Sequence, residues 1–311
     1  MPPPSDPITR RALLVGVAGL AGTGLLAACG SSRGSTGSGA SSPRTGVAVD
    51  PKTHQPIAVP LFDVGDPYVV SGTEQRLVVG LQGPDGAAAA RIPSPAEVTV
   101  RSDATHQVVA GPMTVAAHHD GTPIAYYPIL ATFPAPGTYV IELRVDAGRT
   151  TQAVQVSDPK DVHLVQRGQP MRPVDTPTPA DHRGVEPICT RSPMCAFHSM
   201  TLTDALKTGK PTAFLVSTPE FCQIGVCGPS LDLLIEAAPR HPGVQFLHAE
   251  VYTDAARLGS IQGAKLTPAV VTYALTYEPV LFVADGRGRL VDRLDNVFDR
   301  ADLEAALATV S

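Results

Sequence analysis

The sequence predicts two folded domains, an all-β domain followed by an α/β domain, behind an N-terminal export signal. The chain has 311 residues, which is about twice the length of an average domain. Short β-type runs fill residues 60–157, whereas helical and strand patterns alternate over residues 200–311. The 31 prolines and 28 glycines are numerous enough to indicate linkers and turn-rich β structure.

The composition limits the class of partner. Hydrophobic residues make up 43% of the chain and charged residues 17%, so most of the chain can bury a core. The formal net charge is −5 and the sequence pI is about 6.0, and we therefore expect no nucleic-acid partner. We also expect no bound metal and no cofactor.

The N-terminus has the pattern of an export signal. Arg10 and Arg11 precede an apolar, glycine-rich stretch that ends in Leu-Ala-Ala-Cys at residues 26–29. A positive segment, an apolar segment and small residues before a cleavage point are typical of signal peptides. The arginine pair resembles a twin-arginine signal, and the final residues resemble a bacterial lipobox. These resemblances imply that residues 1–28 are removed and that Cys29 is lipidated, with an uncleaved membrane anchor as the alternative.

Lipidation of Cys29 would place the mature chain on the extracytoplasmic face of the cell membrane. We expect the lipid to anchor the protein there, with proteins of the cell envelope as its clients. Disulfides persist in that compartment. Lipidation of one cysteine leaves an even number of others, which are Cys189, Cys195, Cys222 and Cys227.

The first domain is predicted to follow a flexible tether. Residues 29–59 begin with Gly, Ser and Thr in no apolar pattern, which favours a tether. Residues 60–157 then carry short β-type runs spaced as in an all-β sandwich. Residues 137–143 alternate and contain Gly-x-Tyr, which resembles the corner strand of immunoglobulin-like domains. Residues 118–120, His-His-Asp, are interpreted as polar residues near a turn rather than as a metal site.

Residues 158–199 are predicted to be a proline-rich linker that carries a small cysteine loop. Its repeated X-Pro pairs favour an extended, polyproline-like backbone. Cys189 and Cys195 flank Pro193, and His198 follows them. In an exported chain we expect a structural Cys189–Cys195 disulfide. A metal site that includes His198 is the alternative, but the local sequence shows no fourth ligand.

The second domain, residues 200–311, is predicted to consist of βα units that end in a β-hairpin and a helix. Apolar strands at residues 211–217 and 244–251 each precede a helical pattern. The remaining predicted elements are a helix opened by Thr267-Pro268, a hairpin over residues 280–294 and a final helix capped by Asp299.

Three local features of this domain resemble the thioredoxin family. The pair Phe221-Cys222 follows the first strand, Cys227 opens a Cys-Gly-Pro run before a helix, and Pro279 lies seven residues before Gly286. The resemblance covers about 110 residues and implies a thioredoxin-like fold that performs thiol–disulfide exchange. It implies that Cys222 attacks and Cys227 resolves, while Pro279, in a cis peptide, shapes a groove for the substrate chain.

The cysteine spacing departs from the family. Four residues separate Cys222 from Cys227, where thioredoxins have two, and the position of their buried acid falls near Val216. A second alignment makes Cys227 the first cysteine, with Ser230 in the second place. A continuous helix over this stretch would strain a bridge, but Gly225 allows the loop to fold back. We therefore predict a Cys222–Cys227 disulfide with Cys222 as the more exposed sulfur.

Other candidate residues leave alternatives open. Pro268 is the rival of Pro279 for the cis position, and its spacing to the following turn fits less well. Glu220 could carry a proton near the thiols or be a solvated loop acid. Besides exchange, the chain could be a non-catalytic binding or scaffold lipoprotein with structural disulfides. A less favoured alternative is copper handling by the cysteine pair with His248, because soft thiolates suit Cu(I).

Overall fold

The structure, a computed structural model, describes residues 46–92, 94–258 and 261–311. The predicted signal peptide at residues 1–28, Cys29 and the first part of the predicted tether lie outside the described residues. The described chain is mostly β-sheet with few helices, and it belongs to one compact unit. None of its helices has the length and apolar character needed to cross a membrane.

The described residues form three sheets and four α-helices. The strands are β1 (Ala58–Pro60), β2 (Val69–Val70), β3 (Glu74–Leu81), β4 (Ala96–Ser102), β5 (Val108–Val115), β6 (Tyr127–Thr132), β7 (Gly137–Val145), β8 (Gly148–Ser157), β9 (Thr212–Val216), β10 (Gln245–Ala249), β11 (Val280–Ala284) and β12 (Leu290–Asp295). The α-helices are α1 (Leu202–Ala205), α2 (Cys227–Ala237), α3 (Pro268–Tyr273) and α4 (Arg300–Ala308). The sheets have the strand orders β1-β3-β6, β2-β8-β7-β4-β5 and β10-β9-β11-β12.

The first two sheets come from the predicted β domain. Side chains along β7 point alternately to the two faces of the sheet, so that Tyr139 and Ile141 are buried and Thr138 is exposed. This pattern is expected for a sheet with one face on the core and one face in solvent. Leu77 of β3 belongs to the same buried core as these β7 side chains, so apolar faces of both sheets share one core. The hydroxyl of Tyr139 donates to the carbonyl of Ala135 at 2.9 Å, which is the bond of a tyrosine corner.

The ordered fold begins earlier than the predicted boundary at residue 60. The three residues of β1 pair antiparallel with β3, and Ala58 lies opposite Leu81. Upstream, the N–H of Ala48 donates to the carbonyl of Gln82 at 2.8 Å. The second half of the predicted tether is therefore part of the sheet edge. A three-residue strand that ends in proline is too short to give a period-two pattern, which is why the sequence did not reveal it.

The third sheet has the predicted element order. Strand β9 is parallel to β10 and antiparallel to β11, and β11 forms a hairpin with β12. All residues of β9 and β11 are buried, as expected for apolar strands covered on both faces. Leu215 of β9 shares a cluster with residues of α2 and α4, whereas Phe214 packs against Tyr273 of α3. Thus α2 and α4 cover one face of the sheet and α3 covers part of the other.

The predicted linker is packed against the third sheet. Its apolar side chains Val162, Leu164 and Met171 are buried. The N–H of Met171 donates to the carbonyl of Gly288 at 2.8 Å, so the segment runs along the β11–β12 turn. The sequence predicted a linker with an extended backbone. The segment nevertheless acts as a fixed part of the fold, because apolar side chains between its prolines bury against the hairpin.

Ion pairs join the β domain to α4. Arg76 of β3 pairs with Asp302, and its guanidinium also donates to the carbonyl of Val297 at 2.9 Å. His118 Nδ1 lies 3.1 Å from Asp299 and 3.3 Å from Asp302. The hydrogen bond to Asp299 and, second in size, the hydrogen bond to Asp302 raise the pKa of His118 to about 9. A protonated His118 therefore helps to hold the two parts of the molecule together at neutral pH, which is a more specific role than that of a turn-proximal polar residue.

Candidate functional site

Cys222 and Cys227 are joined as a disulfide in the loop between β9 and α2. Their Cα atoms are 5.8 Å apart, within the range that a bridge needs. Gly225 has a φ of +70°, a conformation that glycine adopts without steric cost, and it turns the loop back. Cys227 is fully buried and Cys222 is partly exposed. The structure therefore has the pairing and the order of exposure that the sequence predicted.

The N-terminus of α2 points at the disulfide. The helix starts at Cys227, and the N–H of Cys227 donates to the sulfur of Cys222 at 3.2 Å. A helix N-terminus carries partial positive charge, and a hydrogen bond to a thiolate favours the charged form. After reduction, this geometry would stabilise Cys222 as a thiolate.

Glu278 is the acid beside the buried sulfur. Its Oε2 lies 3.7 Å from the sulfur of Cys227 and accepts the N–H of Thr218 at 2.8 Å. The side chain of Glu220, the predicted candidate, is exposed, while its backbone N–H donates to Thr190 Oγ1 at 3.2 Å. The thioredoxin resemblance placed the buried acid near Val216, where this chain has none. The predicted cis-proline at Pro279 was the signal that could have identified the preceding residue, Glu278.

Pro279 occupies the predicted place next to this acid. The Glu278–Pro279 peptide is cis, and Pro268 instead starts α3, as the analysis of the two prolines predicted. The carbonyl of Pro279 accepts the N–H of Asn296 at 2.8 Å, and proline has no N–H to donate. A substrate chain that paired with Pro279 itself, as expected, would therefore have to use the Pro279 carbonyl, which already accepts a hydrogen bond from Asn296.

The β domain covers one side of the disulfide loop. Val226 is buried in a small cluster with Leu61, Val78 and Tyr126 of the β domain. Cys222 packs against the same cluster. We name these three residues of the β domain the sandwich wall. The loop that carries the disulfide therefore has one face toward the protein's own sheet and the other toward Glu278 and the start of α2.

A second cluster contains the other two cysteines. The sulfurs of Cys189 and Cys195 are 3.8 Å apart and are not bonded, so the expected disulfide is not present in the structure. Both sulfurs lie 3.7 Å from Nδ1 of His248, and this nitrogen lies 3.3 Å from Nε2 of His198. All four residues are buried. These donors could hold a metal ion, and they include the fourth ligand that the local sequence did not show.

The two buried thiols influence each other. The hydrogen bond between them lowers the pKa of Cys189 and raises the pKa of Cys195. His248 belongs to this cluster on β10, so the copper interpretation, which joined His248 to Cys222 and Cys227, combined residues from two different clusters.

Thr190 connects the two cysteine clusters. Its N–H and its hydroxyl donate to the buried Glu250 at 2.6 and 2.9 Å. The same hydroxyl accepts the backbone N–H of Glu220 at 3.2 Å. Thr190 follows Cys189 directly, and Glu220 lies two residues before Cys222. The position of the loop that carries the disulfide is therefore linked to the position of the second cluster.

Comparison with known proteins adds only distant similarities. No protein-family model and no curated protein sequence matches the chain. Among solved structures, MTB DsbF in its mixed oxidized and reduced forms is 16% identical, with a TM-score of 0.29, over 36% of this chain and 87% of that chain. The Lin-41 filamin domain is 13% identical, with a TM-score of 0.23, over 32% and 91%. A titin M10–obscurin-like 1 immunoglobulin complex is 26% identical, with a TM-score of 0.20, over 34% and 96%. These similarities are too low to assign a fold or an activity to this chain.

Proposed function

We propose that the protein is a thiol–disulfide exchange protein with a thioredoxin-like C-terminal domain and an immunoglobulin-like N-terminal domain. The observation that carries the proposal is the Cys222–Cys227 disulfide at the N-terminus of α2, where the N–H of Cys227 donates to the sulfur of Cys222. This arrangement favours a reactive thiolate at the more exposed cysteine.

The exchange is a two-electron transfer between two dithiol–disulfide pairs. In the reducing direction, the Cys222 thiolate attacks one sulfur of a client disulfide, and the other client sulfur leaves as a thiolate. Cys227, once deprotonated, then attacks the sulfur of Cys222 in the mixed disulfide. The Cys222–Cys227 disulfide forms, and the client leaves with two reduced sulfurs. The reverse sequence oxidises a client dithiol, and no cofactor takes part in either direction.

Glu278 serves the buried cysteine in this scheme. Cys227 is fully buried, and burial disfavours a thiolate. The carboxylate of Glu278 lies 3.7 Å from its sulfur, so it can accept the thiol proton when Cys227 attacks and return that proton in the reverse direction. Thr218 holds the carboxylate in place through its backbone N–H.

The same proposal includes the location. The twin-arginine-type signal and the lipobox resemblance support an exported chain anchored in the cell membrane through lipidated Cys29. Clients would be proteins of the cell envelope, and the negative net charge argues against nucleic acid. Because the described residues form one compact unit, the β domain would stay beside the redox loop during the exchange.

A second candidate function is a non-catalytic binding or scaffold lipoprotein. The packing of Val226 and Cys222 against the sandwich wall favours it, because a disulfide enclosed on one side is less accessible to clients. In that case the bridge would serve to fix the loop against the β domain.

The reduction potential of Cys222–Cys227 separates the two candidates. The full-length chain is equilibrated in glutathione buffers, the free thiols are trapped, and peptides are quantified by mass spectrometry so that each cysteine is reported separately. A potential near or above about −250 mV supports exchange. A bridge that stays closed below about −300 mV would overturn exchange in favour of the scaffold.

A further inference from the structure

Four buried donors from two distant segments surround one point in the structure. Cys189, Cys195 and His198 come from the segment before α1, whereas His248 comes from the C-terminal end of β10. Their relative exposures are 6%, 4%, 2% and 1%. The donor atoms lie within 4.8 Å of one another, so a single ion could reach all of them.

Four of the six distances between the donors match the edges of a zinc tetrahedron, and the other two, from His198 to each sulfur, lie within 4.8 Å. Bond lengths of about 2.3 Å to sulfur and about 2.0–2.1 Å to nitrogen give edges of about 3.8 Å between sulfurs, 3.5 Å between sulfur and nitrogen and 3.3 Å between nitrogens. In the structure, the sulfurs are 3.8 Å apart, each sulfur is 3.7 Å from His248 Nδ1, and the two nitrogens are 3.3 Å apart. We propose that Cys189, Cys195, His198 and His248 bind one Zn²⁺ ion.

The tautomer of His248 suits this role. Its Nε2 lies 3.1 Å from the carbonyl oxygen of Ser217 and can donate its hydrogen there. That hydrogen bond leaves the lone pair of Nδ1 directed at the two sulfurs. Metal-bound histidines commonly use the other ring nitrogen in this way. The backbone also helps, because the N–H of His248 donates to the carbonyl of Phe197 and ties β10 to the neighbour of His198.

A disulfide would satisfy this site less well. Bonding Cys189 to Cys195 would remove both thiol hydrogens and leave two buried imidazoles facing an apolar bridge. A metal ion would instead engage the sulfurs and one nitrogen of each ring. Two thiolates and two imidazoles in a tetrahedron select zinc over the cations that prefer oxygen ligands. Four protein ligands with no exposed position make the site structural rather than catalytic.

The inference does not depend on the proposed exchange activity. Zinc would fix residues 189–198 against β10, and Thr190 would transmit that position to Glu220 in the redox loop. The ion would thus set the conformation of the loop before Cys222 without taking part in electron transfer.

Metal analysis of the full-length chain tests the proposal. The protein is purified in detergent with reductant, and its zinc is counted by elemental mass spectrometry before and after dialysis. We expect about one equivalent per chain. Replacement with Co²⁺ should give thiolate-to-cobalt charge-transfer absorption together with the visible bands of a tetrahedral ion. Cys195→Ser should lower the zinc affinity at least about 100-fold.

Two controls locate the signal. The double variant Cys222→Ser/Cys227→Ser should keep one equivalent of zinc and the same cobalt spectrum, because its cysteines lie in the other cluster. His163→Ala, at an exposed histidine, should also keep the metal. Loss of zinc in either control with wild-type folding would overturn the assignment of the ligands.

Other results would overturn the zinc site itself. These are a metal-free wild type with a Cys189–Cys195 disulfide after preparation under reducing conditions, cobalt spectra without thiolate bands, and unchanged zinc affinity in Cys195→Ser. If Cys195→Ser does not fold, the wild-type cobalt spectrum and the disulfide map decide the question on their own. The potential of Cys222–Cys227 is measured separately, so failure of the exchange function is distinguishable from failure of the metal site.

Discussion

The two cysteine pairs have similar spacing in the sequence but very different surroundings. Cys222 and Cys227 lie at the start of a helix, with one sulfur partly exposed and an N–H directed at it. Cys189 and Cys195 are buried and unbonded, and an imidazole nitrogen lies 3.7 Å from each sulfur. Both pairs were predicted to be disulfides. The neighbours contributed by other parts of the chain, and not the spacing, therefore distinguish a bonded, partly exposed pair from a buried pair of free thiols.

The largest expected difference between the pairs is in exchange activity. Cys222→Ser removes the attacking sulfur, and we expect a loss of at least about 1,000-fold in the rate of reducing a model disulfide. Cys195→Ser should lose much less activity, because its sulfur takes no part in electron transfer and affects Cys222 only through the position of the preceding loop. The measurement is the rate of thiol release from a small disulfide substrate under identical reductant. Equal losses in both variants would contradict the division of roles.

The second difference is in stability. Removing zinc from the wild type should lower the free energy of unfolding by about 3 kcal/mol, because binding energy at a structural site is folding energy. Reducing Cys222–Cys227 at constant zinc should have a smaller effect. Urea unfolding of the zinc-loaded and chelator-treated protein, both with the first pair kept oxidised, measures the metal contribution. If chelation leaves the free energy of unfolding unchanged, the cluster of Cys189, Cys195, His198 and His248 is stable without a metal.

Much of the C-terminal part could be predicted from its sequence. The apolar runs that became β9 and β11 are buried on both faces, and Asp299 caps α4 through a bond to the N–H of Asp302 at 3.0 Å, as expected. These elements depend on local chemistry. The partnership of His248 with Cys189 was not predictable in the same way, because it joins residues about 60 positions apart, through packing of the segment 189–198 against β10, where the N–H of His248 donates to the carbonyl of Phe197.

A third, intermediate effect concerns Glu278. Glu278→Gln keeps an oxygen for the N–H of Thr218 but removes the proton acceptor beside Cys227. We expect the resolution of the mixed disulfide to slow about 30-fold near neutral pH, with a smaller loss at alkaline pH, where the thiol ionises without help. Single-turnover trapping of the mixed disulfide measures this step.

Glu220→Gln is the matched control for that experiment, because the side chain of Glu220 is exposed. Its rate should equal that of the wild type. A slow Glu220→Gln together with a normal Glu278→Gln would restore the acid that the sequence suggested and remove Glu278 from the mechanism.

The smallest predicted effect tests the contact between the β domain and α4. The folded-state pKa of His118 is about 9, above its usual value, because Asp299 and Asp302 accept hydrogen bonds from it. A raised pKa means that the stabilisation is fully present below about pH 6.5 and is lost as the pH rises through about 9. Since His118 is partly exposed, we expect His118→Asn to cost only about 1 kcal/mol at pH 6.

Urea unfolding at two pH values checks this prediction. The difference between His118→Asn and the wild type should shrink toward zero near pH 10, where the wild-type imidazole is neutral. A difference that stays constant from pH 6 to pH 10 would show that His118 contributes packing rather than charge.

The β domain was harder to predict in detail than the C-terminal part. Exposure alternates along much of β4 and β8, whereas every residue of β3 after Glu74 is buried. β1 was not predicted, because this strand is defined by its pairing with β3 and not by an alternating hydrophobic pattern of its own. Arg76 likewise showed no signal, since its partner Asp302 is 226 residues away in the chain.

The sandwich wall has a consequence for which clients the molecule can accept. Leu61, Val78 and Tyr126 occupy one flank of the loop that carries Cys222, and they belong to the same chain. A client could therefore approach the sulfur of Cys222 only from the side that faces away from the sandwich wall. If the chain exchanges disulfides as proposed, a thin, extended segment of an unfolded client would reach the exposed part of Cys222 more easily than a bulky folded surface would. Selectivity for incompletely folded chains would then arise from steric exclusion, without any dedicated recognition pocket.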